Sequence, residues 1–166
     1  SLNLLRKDFN NIPKESKGAI WIEQEYEITN EQNLFSVVEE LVVKHNADDE
    51  NIWFAANDNE RRKFKIFRHT LPLKVNDIIS GRGLIKIGTD TAVPDENFEQ
   101  LYEFTTSLIE ENSLDYVSYG HIGNSHIHFN ILPKDKKELK IARELYSRIC
   151  KKSVELNGTI SAEHGI

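Results

Sequence analysis

The chain contains no methionine and begins at Ser1. A gene product begins with methionine, so a piece of a longer protein is the expectation. Cysteine is nearly absent: Cys150 stands alone, which rules out an internal disulfide and suggests a reducing compartment. Nothing around it in the sequence suggests catalysis, so a buried structural thiol is the simpler reading. Positive charge is in deficit. The 21 Lys and Arg against 27 Asp and Glu leave a formal net charge of −6, which argues against a nucleic-acid surface. No apolar run approaches the roughly 20 residues of a membrane span, and no signal peptide is visible. Repeats, linkers and low-complexity tracts are absent as well. With 166 residues, 39% hydrophobic and 29% charged, the chain reads as one soluble globular domain, residues 1–166, with a true core.

Two passes of strand, helix and strand are expected. Gly18 to Tyr26 is rich in β-formers, with Ile20 and Ile22 on one face. Thr29 and Gln32 form a capping box that opens a helix carrying Leu34, Val37, Val38, Leu41 and Val42. Asn51 to Ala56 reads as a second strand. Asp58 to Phe67 reads as a basic helix broken at Pro72. Gly83 to Val93 is a third strand. Pro94 starts a helix with Phe98, Leu101, Tyr102, Thr105, Leu108 and Ile109 on one stripe. A fourth strand region runs from Asp115 to about Leu132, where Pro133 ends it. Lys134 to Leu156 is a charged helix with Leu139, Ala142, Leu145, Tyr146 and Ile149 facing inward, closed by Asn157-Gly158. The fold class is α+β, ferredoxin-like with a split βαβ pattern. Its antiparallel sheet carries helices on one face, with an extra C-terminal helix.

Three of the six histidines fall within "HIGNSHIH", His121 to His128. Histidine is the side chain that titrates near neutrality and the commonest metal ligand, so crowding it marks a candidate site. The seven-residue separation of His121 and His128 puts them on opposite faces of one regular strand. They can share a site only if a turn or bulge intervenes. A two-residue turn at Asn124-Ser125 would set His121 opposite His128 and Tyr119 opposite Asn130, with Cβ atoms roughly 4.5–5.5 Å apart. A bulge would reverse the parity as well. Two imidazoles on one ion want a third ligand, and zinc, manganese or iron would suit a carboxylate. No acid lies on that hairpin. Glu163, in "GTISAEHGI", is the candidate by its setting of small residues, an acid and a base.

These segments resemble a known family, the FAD-linked oxidases, C-terminal domain. "GHIGNSHIH" is similar to its G-H-x-G-D-G-N-x-H motif, and "GTISAEHGI" to its S-x-x-x-E-H-G-I motif. "RHTLP" and "KIGTDTAVP" resemble its arginine segment and its K-x-x-x-D-hydrophobic-x-V/I-P strand. The segments occur in family order from Arg68 to Ile166. The family includes glycolate oxidase subunits, D-lactate dehydrogenases and D-2-hydroxyglutarate dehydrogenases. The resemblance implies a substrate (cap) domain of a flavoenzyme that oxidises a 2-hydroxy acid, with FAD bound mainly by a separate domain that this chain lacks. It implies His121, His128 and Glu163 as ligands of a divalent metal, zinc or manganese, and His164 as the base. It also implies Asn130, Arg68 and Lys86 as substrate contacts. A cytoplasmic location, or a peripheral one at the inner membrane face, goes with this.

The sequence departs from the motif at Asn124-Ser125-His126, which stands for Asp-Gly-Asn. Loss of that glycine makes a tight turn less comfortable, and His126 is an additional imidazole. Glu163 sits near the end of the chain, and chain ends are commonly loose, so it is expected to be displaced from the histidines. Two other functions compete. A metal-binding sensor or interaction module needs no flavin. A histidine-triad nucleotide hydrolase is mimicked by "HIHFN", but its third histidine is Asn130 here.

Overall fold

The computed structural model describes residues 1–25, 31–47 and 51–164. Their helices are α1 (Leu2–Leu5), α2 (Glu31–Lys44), α3 (Asp58–Gly81), α4 (Phe98–Glu111) and α5 (Lys136–Glu155). The strands are β1 (Ile87–Gly88), β2 (Tyr116–His121) and β3 (His126–Ile131), joined in one antiparallel sheet of order β1-β3-β2. The class is α+β. The chain divides into two compact units, Leu2–Thr70 and Leu71–Ile166, with Ser1 counted in the latter.

The unit Leu71–Ile166 is built around β3. Side chains alternate across a strand. Phe129 and Ile131 point to one face, where they pack with Leu108 and Ile109 of α4 and Ala142, Leu145 and Ile149 of α5. Of the stripes read from the sequence, Leu101, Thr105, Leu108 and Ile109 of α4 and Ala142, Leu145 and Ile149 of α5 are buried, while Tyr102 is exposed. Helix α5 starts at Lys136 rather than Lys134, because Asp135 caps it by accepting from Glu138 N–H at 2.8 Å. Glu138 reaches back to the N–H of Lys134 at 2.8 Å. Asn157 closes it in the left-handed region (φ 59), as the sequence leads one to expect.

Gly158 then lets the chain press against Ala92. A Cβ there would lie 2.3 Å from the Ala92 carbonyl oxygen. Ala92 and Thr159 exchange backbone hydrogen bonds at 3.2 and 2.8 Å, and the buried Ser153 hydroxyl donates to Thr159 O at 3.0 Å. This junction carries residues 160–164 back towards β3.

Helix α3 runs through Pro72 instead of stopping before it. A proline inside a helix removes one hydrogen bond and costs about 3 kcal/mol. Burying a large apolar side chain returns about 1.5–3 kcal/mol. Leu71, just before the proline, and Val75 and Ile79, beyond it, form one stripe, and all three are buried, so the helix persists.

Two expected strands are not formed. Residues 18–25 and 51–56 are not strands, and Ile20 and Ile22 are 74% and 65% exposed. Alternation supplies a face but not the neighbouring backbone that a strand must bond. In the unit Leu2–Thr70 the aromatics pair edge-on with α3 instead: Trp21 with Phe64 at 5.2 Å and Trp53 with Phe67 at 5.4 Å. Tyr26, Thr29 and the capping box that begins there lie outside the described residues. Among the described residues no helix is long and apolar enough to cross a membrane.

Candidate functional site

The face of β3 opposite the helices carries His126, His128 and Asn130. Its register with β2 pairs His121 with His126, Tyr119 with His128 and Val117 with Asn130. The two-residue turn expected at Asn124-Ser125 is therefore a four-residue loop, Ile122 to Ser125, and every cross-strand pair moves by two. Parity is unchanged by a shift of two, so His121 and His128 still share one face, as diagonal rather than direct neighbours. Ser125 takes the left-handed conformation (φ 49) at the end of the loop, where the family motif has glycine. Its buried hydroxyl donates to Asp95 Oδ1 at 2.6 Å, which offsets a conformational cost of about 1–2 kcal/mol.

The expected strand Gly83–Val93 contracts to Ile87–Gly88, with isolated bridges from Ala92 to His126 and to Thr159, and Thr89 is the cause. Its N–H donates to Phe129 O at 3.0 Å, as the ladder requires. The return bond from Phe129 N–H goes to the Thr89 hydroxyl at 3.0 Å, not to its carbonyl. That carbonyl is left for His128 Nδ1, 2.9 Å away. A carbonyl only accepts, so Nδ1 carries the hydrogen and fixes the tautomer. Nε2 of neutral His128 then presents a lone pair, 3.1 Å from Glu163 Oε2. A lone pair facing a carboxylate is repulsive unless a proton or a cation lies between them. His121 Nε2 lies 3.7 Å from the other Glu163 oxygen. A hydrogen bond from His128, formed when Nε2 also carries a proton, and then the neighbouring imidazoles hold the Glu163 carboxyl below the usual carboxylate range.

Asp90 lies behind this pair. Its Oδ1 is 3.1 Å from His126 Nε2, off hydrogen-bond geometry, and 3.9 Å from His128 Nδ1. Its Oδ2 accepts from His164 N–H at 3.0 Å. Burial pushes the Asp90 carboxyl up, but the His164 and Glu163 N–H groups and the nearby imidazoles bring it below its ordinary value. Burial presses His126 towards its neutral form, aided by His128 and opposed by Asp90. The His164 ring stacks on His128 with centroids 5.3 Å apart, and its side chain is 68% exposed. It is open to a bound molecule.

Asn130 is buried, and its Oδ1 accepts from Lys86 Nζ at 2.8 Å. An ammonium only donates, so the amide orientation is set, and Nδ2 remains a buried donor near the Tyr119 hydroxyl, with no partner at hydrogen-bond geometry among the described residues. Lys86 thus orients Asn130, and burial lowers the lysine's own pKa. Arg68 is exposed on α3, in the unit Leu2–Thr70.

The sequence matches the family of FAD linked oxidases, C-terminal domain, over residues 1–166. The chain belongs to that family. It is 22% identical over 160 residues to a protein named probable D-lactate dehydrogenase, mitochondrial, of Danio rerio, covering 95% of this chain and 31% of that protein. It is 31% identical over 77 residues to a D-lactate dehydrogenase of Archaeoglobus fulgidus, 46% of this chain and 17% of the relative. With the glycolate oxidase subunit GlcD of Bacillus subtilis it shares 24% over 79 residues, again 46% and 17%. The chain thus spans under a third of the length of these relatives.

In this FAD linked oxidase C-terminal domain, Glu163 contacts both His128 and His121, while Arg68 lies on the part of α3 that falls in the unit Leu2–Thr70. Glu163 is not displaced despite its place near the chain end, because Asp90 binds the backbone around it. The donors are of the kind a divalent metal takes, with neighbours about 3.2–3.6 Å apart around a tetrahedral ion. His128 Nε2 and Glu163 Oε2, 3.1 Å apart, come near that spacing, while His121 Nε2 lies 3.7 Å from the other carboxylate oxygen. The facing lone pair and carboxylate are what a cation would reconcile. The donor atoms that lie within 4.8 Å of one another are those of Asp90, His128, Glu163 and His164; His121 is not in that set. Sequence reasoning did not pick out Thr89 or Asp90 as site residues. The one available signal was the Asp of the K-x-x-x-D segment, whose partners lie over 70 residues further along the chain.

Proposed function

We propose that this chain is the substrate-side (cap) domain of an FAD-dependent oxidoreductase that oxidises a D-2-hydroxy acid of the glycolate, D-lactate or D-2-hydroxyglutarate class. The observation that carries the reading is Glu163 set against His128 and His121, with His164 beside them, on one sheet face. FAD, held mainly by another domain, supplies the hydride acceptor, and a zinc or manganese ion held by His121, His128 and Glu163 supplies polarisation of the hydroxyl oxygen.

The chain's own residues do the rest. His164 accepts the hydroxyl proton, which an imidazole can do near neutral pH. Asn130 Nδ2, a buried donor, hydrogen-bonds a substrate oxygen. Lys86 holds that amide in place and adds positive charge. Arg68 grips the substrate carboxylate with its planar fork. A histidine-triad hydrolase would need an imidazole where Asn130 is buried and held by Lys86.

The test uses the parent protein with its FAD-binding domain. D-lactate, glycolate and D-2-hydroxyglutarate are each mixed with it anaerobically, and flavin reduction is followed by absorbance. At least one should bleach the flavin, and His164→Ala should slow that step about 10²–10⁴-fold. No bleaching by any of the three ends the proposal. Residues 1–166 alone should be colourless and inactive.

A further inference from the structure

Resting on that reading of the site, we infer that Asp90 is its positioning residue: the carboxylate holds the backbone of Ala162 to His164 and thereby aims Glu163 and His164 at the histidines of β3. Three successive amides converge on this one side chain. Ala162 N–H reaches Oδ2 at 3.1 Å, Glu163 N–H at 3.2 Å and His164 N–H at 3.0 Å. The Ser161 hydroxyl adds a contact at 3.4 Å, and Ala162 N–H also lies 2.9 Å from the Asp90 carbonyl. Consecutive N–H groups point at a common centre only when the backbone curls around an anion, and hydrogen bonds to an ionised acceptor are about twice as strong as neutral ones.

The same carboxylate faces His126 at 3.1 Å, so one residue ties the C-terminal loop to the hairpin. Its own strand is fixed by Thr89 N–H on Phe129 O and by the Ala92–Thr159 bridge. The Glu163 side chain is 45% exposed and contacts only imidazoles. Its direction is therefore set by its backbone, and its backbone by Asp90. Asp90 does not serve as a ligand in this assignment: its Oδ2 takes the three amides and the Ser161 hydroxyl, and its Oδ1 shares the Glu163 N–H at 3.3 Å.

The experiment compares the parent protein with Asp90→Asn, Glu163→Gln and the double variant. Amide hydrogen exchange of residues 161–164 is read by mass spectrometry, and zinc affinity by calorimetry. Asp90→Asn keeps the shape but loses the charge. It should speed exchange at 162–164 about 10- to 100-fold, leaving β3 and α5 unchanged. It should weaken zinc binding about 10- to 100-fold, the usual effect of removing a group that orients a ligand. The double variant should bind zinc no more weakly than Glu163→Gln alone, because Asp90 acts through Glu163. Unchanged exchange at 162–164 would overturn the assignment, as would an additive loss in the double variant, which would make Asp90 a ligand itself.

Should Asp90→Asn fail to fold, Asp90→Glu decides. It keeps the charge and shifts it by one methylene, so loop protection should persist while zinc affinity drops about tenfold. Wild-type affinity in that variant would overturn the assignment. If the parent neither binds zinc nor oxidises a hydroxy acid, the proposed function fails, and the exchange rates still decide the role of Asp90.

Discussion

In the unit Leu71–Ile166, Leu108, Ile109, Phe129, Ile131, Leu145 and Ile149 lie in one core between the sheet and two helices. In the unit Leu2–Thr70, the described buried apolar side chains are Leu2, Leu5 and Ile12, while Ile20, Ile22, Val37, Leu41, Val43 and Phe54 are exposed. Both stretches carry amphipathic helix patterns and β-forming runs. What separates them is closure. In Leu71–Ile166 the apolar faces of β3, α4 and α5 meet in one core, and β3 has a hydrogen-bonded neighbour on both sides. In Leu2–Thr70, helices α2 and α3 form, because a helix bonds within itself. Among the described residues the β-forming runs 18–25 and 51–56 join no ladder. An apolar pattern becomes structure only where a second surface exists to receive it.

The largest effect that bears on this difference is truncation of matching isoleucines. Ile131→Ala removes a fully buried side chain between sheet and helices and should cost about 3–4 kcal/mol. Ile22→Ala, at a 65% exposed position, should change stability by less than about 0.5 kcal/mol. Chemical denaturation of both variants checks this. Equal costs would mean that Ile22 is buried in solution and the contrast is false.

A smaller effect asks whether the less closed unit contributes to the site. Under the proposed function Arg68→Ala removes a charged hydrogen bond to substrate and should raise KM about 10- to 100-fold, with a lesser effect on kcat. Steady-state kinetics of the parent protein with its best hydroxy acid give the answer. An unchanged KM assigns the recognition wholly to Leu71–Ile166.

The smallest effect lies at alkaline pH and in the closed unit alone. Burial, then the hydrogen bond to Glu110 at 2.9 Å, raises Tyr116 to about 12. A raised folded pKa favours the neutral phenol in the native state. Its contribution is therefore complete below the ordinary value near 10 and is lost as pH climbs from there to about 12. Tyr116→Phe should flatten that part of the Tm-versus-pH profile and leave the neutral region little changed. The same slope in both proteins would place Tyr116 in solvent.

The parts of the site were legible unequally. The "HIGNSHIH" cluster and the "AEHGI" segment declare themselves as unusual compositions, and the resemblance supplied their roles. The loop length between β2 and β3 was not legible, because Ser125 accepts a left-handed backbone only with Asp95, 30 residues away, holding its hydroxyl. Asp90 and Thr89 were not legible as site residues, since an acid and a threonine in a β-forming run are ordinary until their partners are known.

The sequence by itself determined what depends on neighbours within a turn or two. The stripes of α4 and α5, the cap at Asp135 and the left-handed close at Asn157 follow from contacts at separations of three to five residues, which the order of side chains specifies directly. Only the tertiary structure decided which strands form, the register that sets His121 against His126, the freeing of the Thr89 carbonyl for His128, and the convergence of Asp90 with Ala162 to His164. The last two join residues 39 to 74 positions apart. They exist because a buried backbone group must find a partner wherever the chain brings one, and local patterning does not say where that will be.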